Sequence, residues 1–161
     1  MKIILIPTDF TADSLSILKN ALNSEKDEKV NIILGYGKRL SWSISDLLFY
    51  STRSIIKELE DDDFSEAKEI IMNKYSSKIN SLRVEIFHGL NQNAFDNFIK
   101  GNQINYSVIP ETDDAMDFKH KQGFDIVPFI KKSNVSVETV SYTREYATSA
   151  EGNRLFKLLT S

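Results

Sequence analysis

The sequence predicts an α/β fold, a doubly wound five-stranded parallel sheet with helices on both faces, and three observations predict it. Short apolar runs recur at Ile3–Ile6, Val30–Leu34, Leu82–Phe87, Tyr106–Ile109 and Val135–Val140. Stretches of helical periodicity fill the gaps between them, and this alternation implies parallel pairing with right-handed crossovers. The first two runs are nearly unbroken, as expected of strands covered on both faces.

Taken in order, the first strand runs into the turn Pro7-Thr8-Asp9-Phe10-Thr11. A helix follows, with Leu15, Leu18, Ala21 and Leu22 along one stripe. Asp13 or Ser14 can cap it. The mouth of such a strand–loop–helix unit is where α/β folds usually hold ligands. After the second strand, residues 38–63 form an insert-like stretch holding Trp42, Leu47, Leu48, Phe49 and Tyr50. These aromatic and aliphatic side chains either cover the sheet, the commoner role of such clusters, or form a lid or partner surface. The acidic run Glu58 to Asp63 reads as a solvated helix end or a partner for a helix N-terminal dipole.

Ile55, Ile56 and Leu59 share a helical stripe, and Ala67, Ile70, Ile71 and Lys74 continue a similar pattern. Asp63-Phe64-Ser65-Glu66 has the spacing of a capping box, with Asp in place of Ser or Thr. Leu82-Arg83-Val84-Glu85-Ile86 alternates, which suggests a strand near a sheet edge. Phe95, Phe98 and Ile99 mark a short helix that Gly101 would stop. Ile126, Val127, Phe129 and Ile130 mark the last core helix, where Pro128 fits only in the first turn. Beyond Val140 the chain is polar until Leu155-Phe156-Lys157-Leu158-Leu159, a stretch that docks as a small helix or frays. The expected organisation is one domain over residues 1–141 and a tail over 142–161, with no internal repeat.

Composition removes several classes of function. With 41% hydrophobic and 27% charged residues, the 161-residue chain can bury a sizeable core. The net charge of −3 gives no footprint for nucleic acid or an anionic membrane. The absence of cysteine excludes disulfides, thiolate metal sites and cysteine nucleophiles. Met1 to Pro7 is too short and too soon broken by proline for a signal peptide, and no apolar run is long enough to span a bilayer. A cytoplasmic location is therefore expected, and the sequons at Asn105 and Asn134 carry no weight. His88 and His120 lie far apart with no carboxylate at zinc-ligand spacing, so no metal site is assigned. His88 reads as a polar cap at a strand end. No P-loop, Gly-x-Gly-x-x-Gly or Gly-x-Ser-x-Gly motif occurs. Asp9 with Asp113 or Asp114 could form a carboxylate pair, but sequence gives no sign that they converge, so no catalytic residue is assigned.

The opening strand and its Pro-Thr-Asp-Phe-Thr turn resemble the universal stress protein family, UspA-like proteins whose first strand ends in a Pro-Thr-Asp-Phe-Ser-like turn. The register from Gly123 onward, GFDIVPFIKKSNVSV, is similar to that family's last helix and last strand. The resemblance covers Lys2 to Val140. It implies a Rossmann-like three-layer fold of the adenine nucleotide alpha hydrolase type, with strand order 3-2-1-4-5. It also implies a ligand crevice between strands one and four. Pro7 and Leu34 match positions that line base and ribose in ATP-binding members, and Asp9 matches the aspartate near the nucleotide. Asp9 also suits a plain turn or cap.

ATP-binding members carry, after the fourth strand, Gly, two residues, Gly, nine residues, Gly, then Ser or Thr. Such glycines let bare N–H groups approach phosphate. This chain keeps the spacing and loses most of the chemistry. Pro110 stands at the first glycine, Asp113 at the second and Phe124 at the hydroxyl position, while Gly123 is kept. Glu111, Asp113, Asp114 and Asp117 crowd the place of a triphosphate, offset in part by Lys119, His120 and Lys121. Each nearby carboxylate costs on the order of 1 kcal/mol or more. Each lost donor costs roughly 0.5–1.5 kcal/mol.

The expectation is a non-catalytic stress-response or regulatory module that has lost conventional ATP binding, needs no cofactor and acts through partners. One alternative is an ATP- or AMP-binding, or weakly ATP-hydrolysing, switch with an altered loop, in which Mg²⁺ could bridge carboxylates and phosphate. Another is a binding module for a different small ligand, with Trp42 and residues 44–50 as its lid. The resemblance also implies a homodimer formed by antiparallel pairing of last strands across a twofold axis, with Val135, Val137 and Val140 as its apolar residues. A protein partner of unknown identity is expected as well.

Overall fold

The computed structural model describes residues 2–26, 29–39, 51–112, 115–118 and 122–142. Trp42, residues 44–50, Asp113, Asp114, residues 119–121 and the tail from 143 onward lie outside the described residues. The elements are β1 (Ile3–Pro7), α1 (Leu15–Ser24), β2 (Val30–Lys38), α2 (Thr52–Leu59), α3 (Asp62–Lys74), β3 (Ile79–Phe87), α4 (Gln92–Gly101), β4 (Tyr106–Pro110), β5 (Gly123–Phe124), α5 (Val127–Lys132) and β6 (Ser136–Val140).

The parallel sheet runs β3-β2-β1-β4-β6, which is the expected order with β6 as the fifth parallel strand. Alternation along the strands sorts the core onto two faces. Ile4 and Ile6 of β1 join Ile32, Leu34 and Tyr36 of β2 beneath α1 and α3, whose Leu18, Phe64 and Ile71 are fully buried. Leu5 and Ile33 point the other way, against Phe95 of α4 and Ile130 of α5. The alternating strand β3 does lie at a sheet edge. At the other end Tyr142 is packed into the first core cluster, and Ser141 O accepts a bond from Asn20.

β5 was not expected. It pairs antiparallel with β2, Gly37 opposite Phe124 and Lys38 opposite Gly123. The reason lies in strand length. β1 ends with Pro7 opposite Gly35, so β2 continues beyond it with an open edge. A two-residue strand fills that edge and leaves no periodic trace in the sequence.

Three local expectations are corrected. Ser14 holds the N-cap position of α1 but does not cap it with its side chain. Ser14 has helical φ and ψ and makes no side-chain cap bond, and the Thr11 hydroxyl accepts the Ser14 N–H instead, at 3.2 Å. The cap of α3 is Asp61, whose carboxylate accepts the Phe64 N–H at 2.8 Å. The proposed capping box therefore began two residues too late, and Asp62 and Asp63 occupy the first turn, where their charge suits the dipole. Gly101 is the last helical residue of α4, and the left-handed position after it is Gln103, with φ 56°.

Candidate functional site

At the C-terminal end of β1 the chain makes a compact polar turn. Thr8, Asp9, Thr11 and Ser14 are all buried. Burying so many polar groups is tolerable only when they are paired, and they are. One Asp9 oxygen, Oδ1, accepts from the N–H of Thr11 and from its hydroxyl. Thr8 and Ser14 hydroxyls lie 3.1 Å apart, and Thr8 also accepts the Phe10 N–H. Phe10 is held left-handed, at φ 61°, an uncommon conformation for a bulky residue. Its ring lies 4.9 Å from Tyr36 and 5.2 Å from Phe64.

The segment after β4 crosses this turn. The second Asp9 oxygen, Oδ2, accepts the backbone N–H of Asp117 at 2.8 Å. Phe118 lays its ring 5.6 Å from Tyr36. Gly123 then reaches β2 and passes directly against Tyr36. A methyl group built on Gly123 would sit 2.2 Å from the Tyr36 hydroxyl oxygen and 2.9 Å from Cζ, so only glycine allows this approach. Arg39 donates its N–H to Gln122 O, and the Lys38 ammonium donates to the Gln122 side chain. The described parts of residues 115–124 thus span from the end of β4 across the end of β1 to β2. Burial, followed by the charge of Asp9, raises the pKa of the Tyr36 phenol to about 12.

The sequence-chosen residues fall in different places. Asp9 meets the crossing segment at Asp117, and Gly123, within that segment, meets Tyr36 of β2. Leu34 is 1% exposed and belongs to the core beneath α1. Pro7 is buried opposite Gly35. Phe124 places its ring among Phe87 and Phe129 on the opposite face of the sheet. Pro110 ends β4 opposite Val140 and borders a cavity of about 400 Å³. Asp113 lies outside the described residues.

That cavity lies between the segment following β4 and α5. Pro110, Ala115, Met116, Val127 and Pro128 supply its apolar wall. Thr112, Asp125, Lys131 and Lys132 supply its polar groups. Asp125 Oδ1 accepts the Val127 N–H at 2.9 Å, which starts α5. Among the described residues no three His, Asp or Glu side chains gather as a metal-binding group, and no helix is long and apolar enough to cross a membrane.

Sequence reasoning missed Tyr36, Phe118, the bond from the Asp117 N–H to Asp9 and the α5 lysines. The Gly35-Tyr36-Gly37 triplet was the available sign, since glycines beside a strand aromatic often mark a close backbone approach. Nothing in sequence marked Phe118 or the Asp117 N–H, because their role depends on the fold of the loop. His88 follows β3 and bridges to β2, its Nδ1 lying 2.9 Å from Lys38 O. Burial is the main cause that lowers its pKa.

On the sheet edge, Val137 is 40% exposed. Val140 packs in part against the core under α1, and Val135 in part against the core under α4 and α5. Two of the three valines expected at a dimer contact are therefore partly engaged within their own chain.

No protein-family model matches this sequence, and no curated protein does. Solved structures do. The hypothetical protein MJ0577 matches with a TM-score of 0.53 at 18% identity, over 89% of this chain and 98% of that one. A universal stress protein family protein from Arabidopsis thaliana with AMP bound matches at 0.52 and 10% identity, over 94% and 99% of the two chains. Universal stress protein UspA from Lactobacillus plantarum matches at 0.49 and 12%, over 86% and 97%. The architecture of this chain is the α/β, Rossmann-like fold of universal stress proteins.

Proposed function

We propose that this chain is a universal stress protein-like regulatory module, without catalytic activity, in which the conventional nucleotide crevice is taken up by the chain itself. One observation carries the reading. The N–H of Asp117 bonds to Asp9, and Phe118 stands against Tyr36, at the mouth where α/β folds hold ligands. The changed loop supports it further. Pro110 brings no N–H to the mouth, and the N–H of Glu111 is spent on Val140 O at 2.9 Å. Among the described residues, a triphosphate here would meet the Asp9 carboxylate and find the Glu111 and Asp117 N–H groups already bonded.

The module acts through association. Among the described residues, β6 is a terminal strand of the sheet with one edge left unpaired. Antiparallel pairing of two such edges across a twofold axis closes without further growth. Val137 would lie in that contact. The AMP-bound Arabidopsis relative keeps the nucleotide alternative in view. The cavity beside α5 favours the other alternative, a different small ligand. Calorimetric titration of the pure protein with AMP and ATP tests the main reading: it predicts no saturable heat, and a stoichiometric isotherm would overturn it.

A further inference from the structure

We infer that residues 115–118 form an autoinhibitory strap, which opens as a unit of its own while the turn beneath it stays folded. The inference rests on the reading above, that this segment takes up the mouth at the end of β1, and it makes that closure a gate.

The floor of the mouth is built to stand alone. Thr8, Asp9, Phe10, Thr11 and Ser14 are all buried. Asp9 Oδ1 accepts both the N–H and the hydroxyl of Thr11. The Ser14 hydroxyl donates to Thr11 O at 2.8 Å and lies 3.1 Å from the Thr8 hydroxyl. None of these bonds involves the strap, so lifting the strap breaks none of them.

The strap is held differently. Residues 115–118 form no helix or strand. The N–H of Asp117 reaches the other oxygen of Asp9, Oδ2, through a bond that is only partly buried. Asp117 itself is exposed, and Ala115, Met116 and Phe118 are partly buried where they pack against the core beneath α1. Segments with few buried apolar contacts and accessible backbone bonds open locally, at less cost than global unfolding. The flanking chain is pinned on both sides. The Glu111 N–H is bonded to Val140 O, and Gly123 and Phe124 pair with β2. A segment loose in the middle and fixed on either side lifts and returns to the same place. Lifting it uncovers the Asp9 Oδ2 acceptor beside the ring of Tyr36, at the mouth where α/β folds hold ligands.

Two N–H groups on one carboxylate give the test. Amide exchange of the full chain, followed residue by residue by NMR at several low urea concentrations, compares Asp117 with Thr11. Corrected for intrinsic rates, the Asp117 amide should exchange at least about a hundredfold faster than that of Thr11, with little dependence on urea. Thr11 should instead follow the buried amides of β1. Phe118→Ala should speed Asp117 about tenfold, the upper end of what an aromatic pair contributes, and leave Thr11 unchanged. Tyr36→Phe keeps the ring and should leave Asp117 as in the parent. Equal protection of the two amides, falling together with urea, would overturn the strap and leave the mouth closed. An Asp117 rate untouched by Phe118→Ala would overturn the strap as well. An Asp117 amide that exchanges in the parent as fast as an unbonded one would overturn the closed mouth itself.

Discussion

Asp9 accepts the backbone N–H of Asp117 at 2.8 Å across 108 residues of chain. One carboxylate therefore ties the turn after β1 to the segment after β4. Its other oxygen organises its own turn through Thr11. The arrangement makes Asp9 a structural clasp where a nucleotide-binding fold would present a ligand contact.

Removing the clasp should be costly and local. Asp9→Ala leaves the Thr11 and Asp117 N–H groups without their acceptor, a loss of about 1–3 kcal/mol. Urea unfolding would read the stability. Amide hydrogen exchange should quicken over residues 115–118, and unchanged protection there would contradict the clasp.

Gly123 and Tyr36 should behave as a coupled pair. Gly123→Ala places a methyl 2.2 Å from the Tyr36 hydroxyl oxygen, so overpacking of about 1–3 kcal/mol is expected. Tyr36→Phe removes that oxygen and should recover part of the loss. A double-mutant cycle measures the coupling, and strict additivity would show that the close approach does not exist in solution.

Stability should depend on the protonation of His88. Its folded-state pKa lies below the ordinary value of 6.5, chiefly because it is buried. The unfolded chain therefore takes up the proton first as pH falls. This contribution is complete above about pH 6.5 and is lost as pH drops toward the lower, folded value. His88→Asn, which can keep a donor toward Lys38 O, should flatten denaturation midpoints between pH 5 and 7. An equal slope in parent and variant would show that another group is responsible.

Val137→Asp should shift the protein toward monomer in light scattering, because a charge in a strand-edge contact would be buried against its own copy. The parent chain should run at twice the monomer mass. A parent monomer, or a variant that keeps the doubled mass, would rule out this edge as the interface.

Much of the fold was legible because strands buried on both faces write themselves as apolar runs. Ile3–Ile6 and Val30–Leu34 were clear for that reason, and the parallel order emerged as expected. Caps were less legible because several Asp and Ser residues compete within a few positions, and only backbone geometry selects Asp61 or Thr11. The site was legible in part. Asp9 and Gly123 were legible as residues of this end of the sheet, and both take part in the contacts around Tyr36 and Asp117. The path of the segment after β4 was hidden, since the contacts of Phe118 with Tyr36 and of Gly123 with β2 join residues more than eighty positions apart. The burial of Leu34 was legible from its place in an apolar run, whereas an apolar strand residue near a crevice looks the same in sequence whether it faces ligand or core.

The most direct test is thermal unfolding of the pure protein with millimolar ATP, ADP or AMP, each with and without Mg²⁺. A nucleotide at about 100 times its Kd adds roughly 2.7 kcal/mol of stability, a readily visible rise in Tm. The closed crevice predicts no rise with any of the three. A clear, Mg²⁺-dependent rise would mean that the acidic segment after β4 has become a metal-assisted phosphate site, and that the Asp9–Asp117 clasp opens to admit a nucleotide.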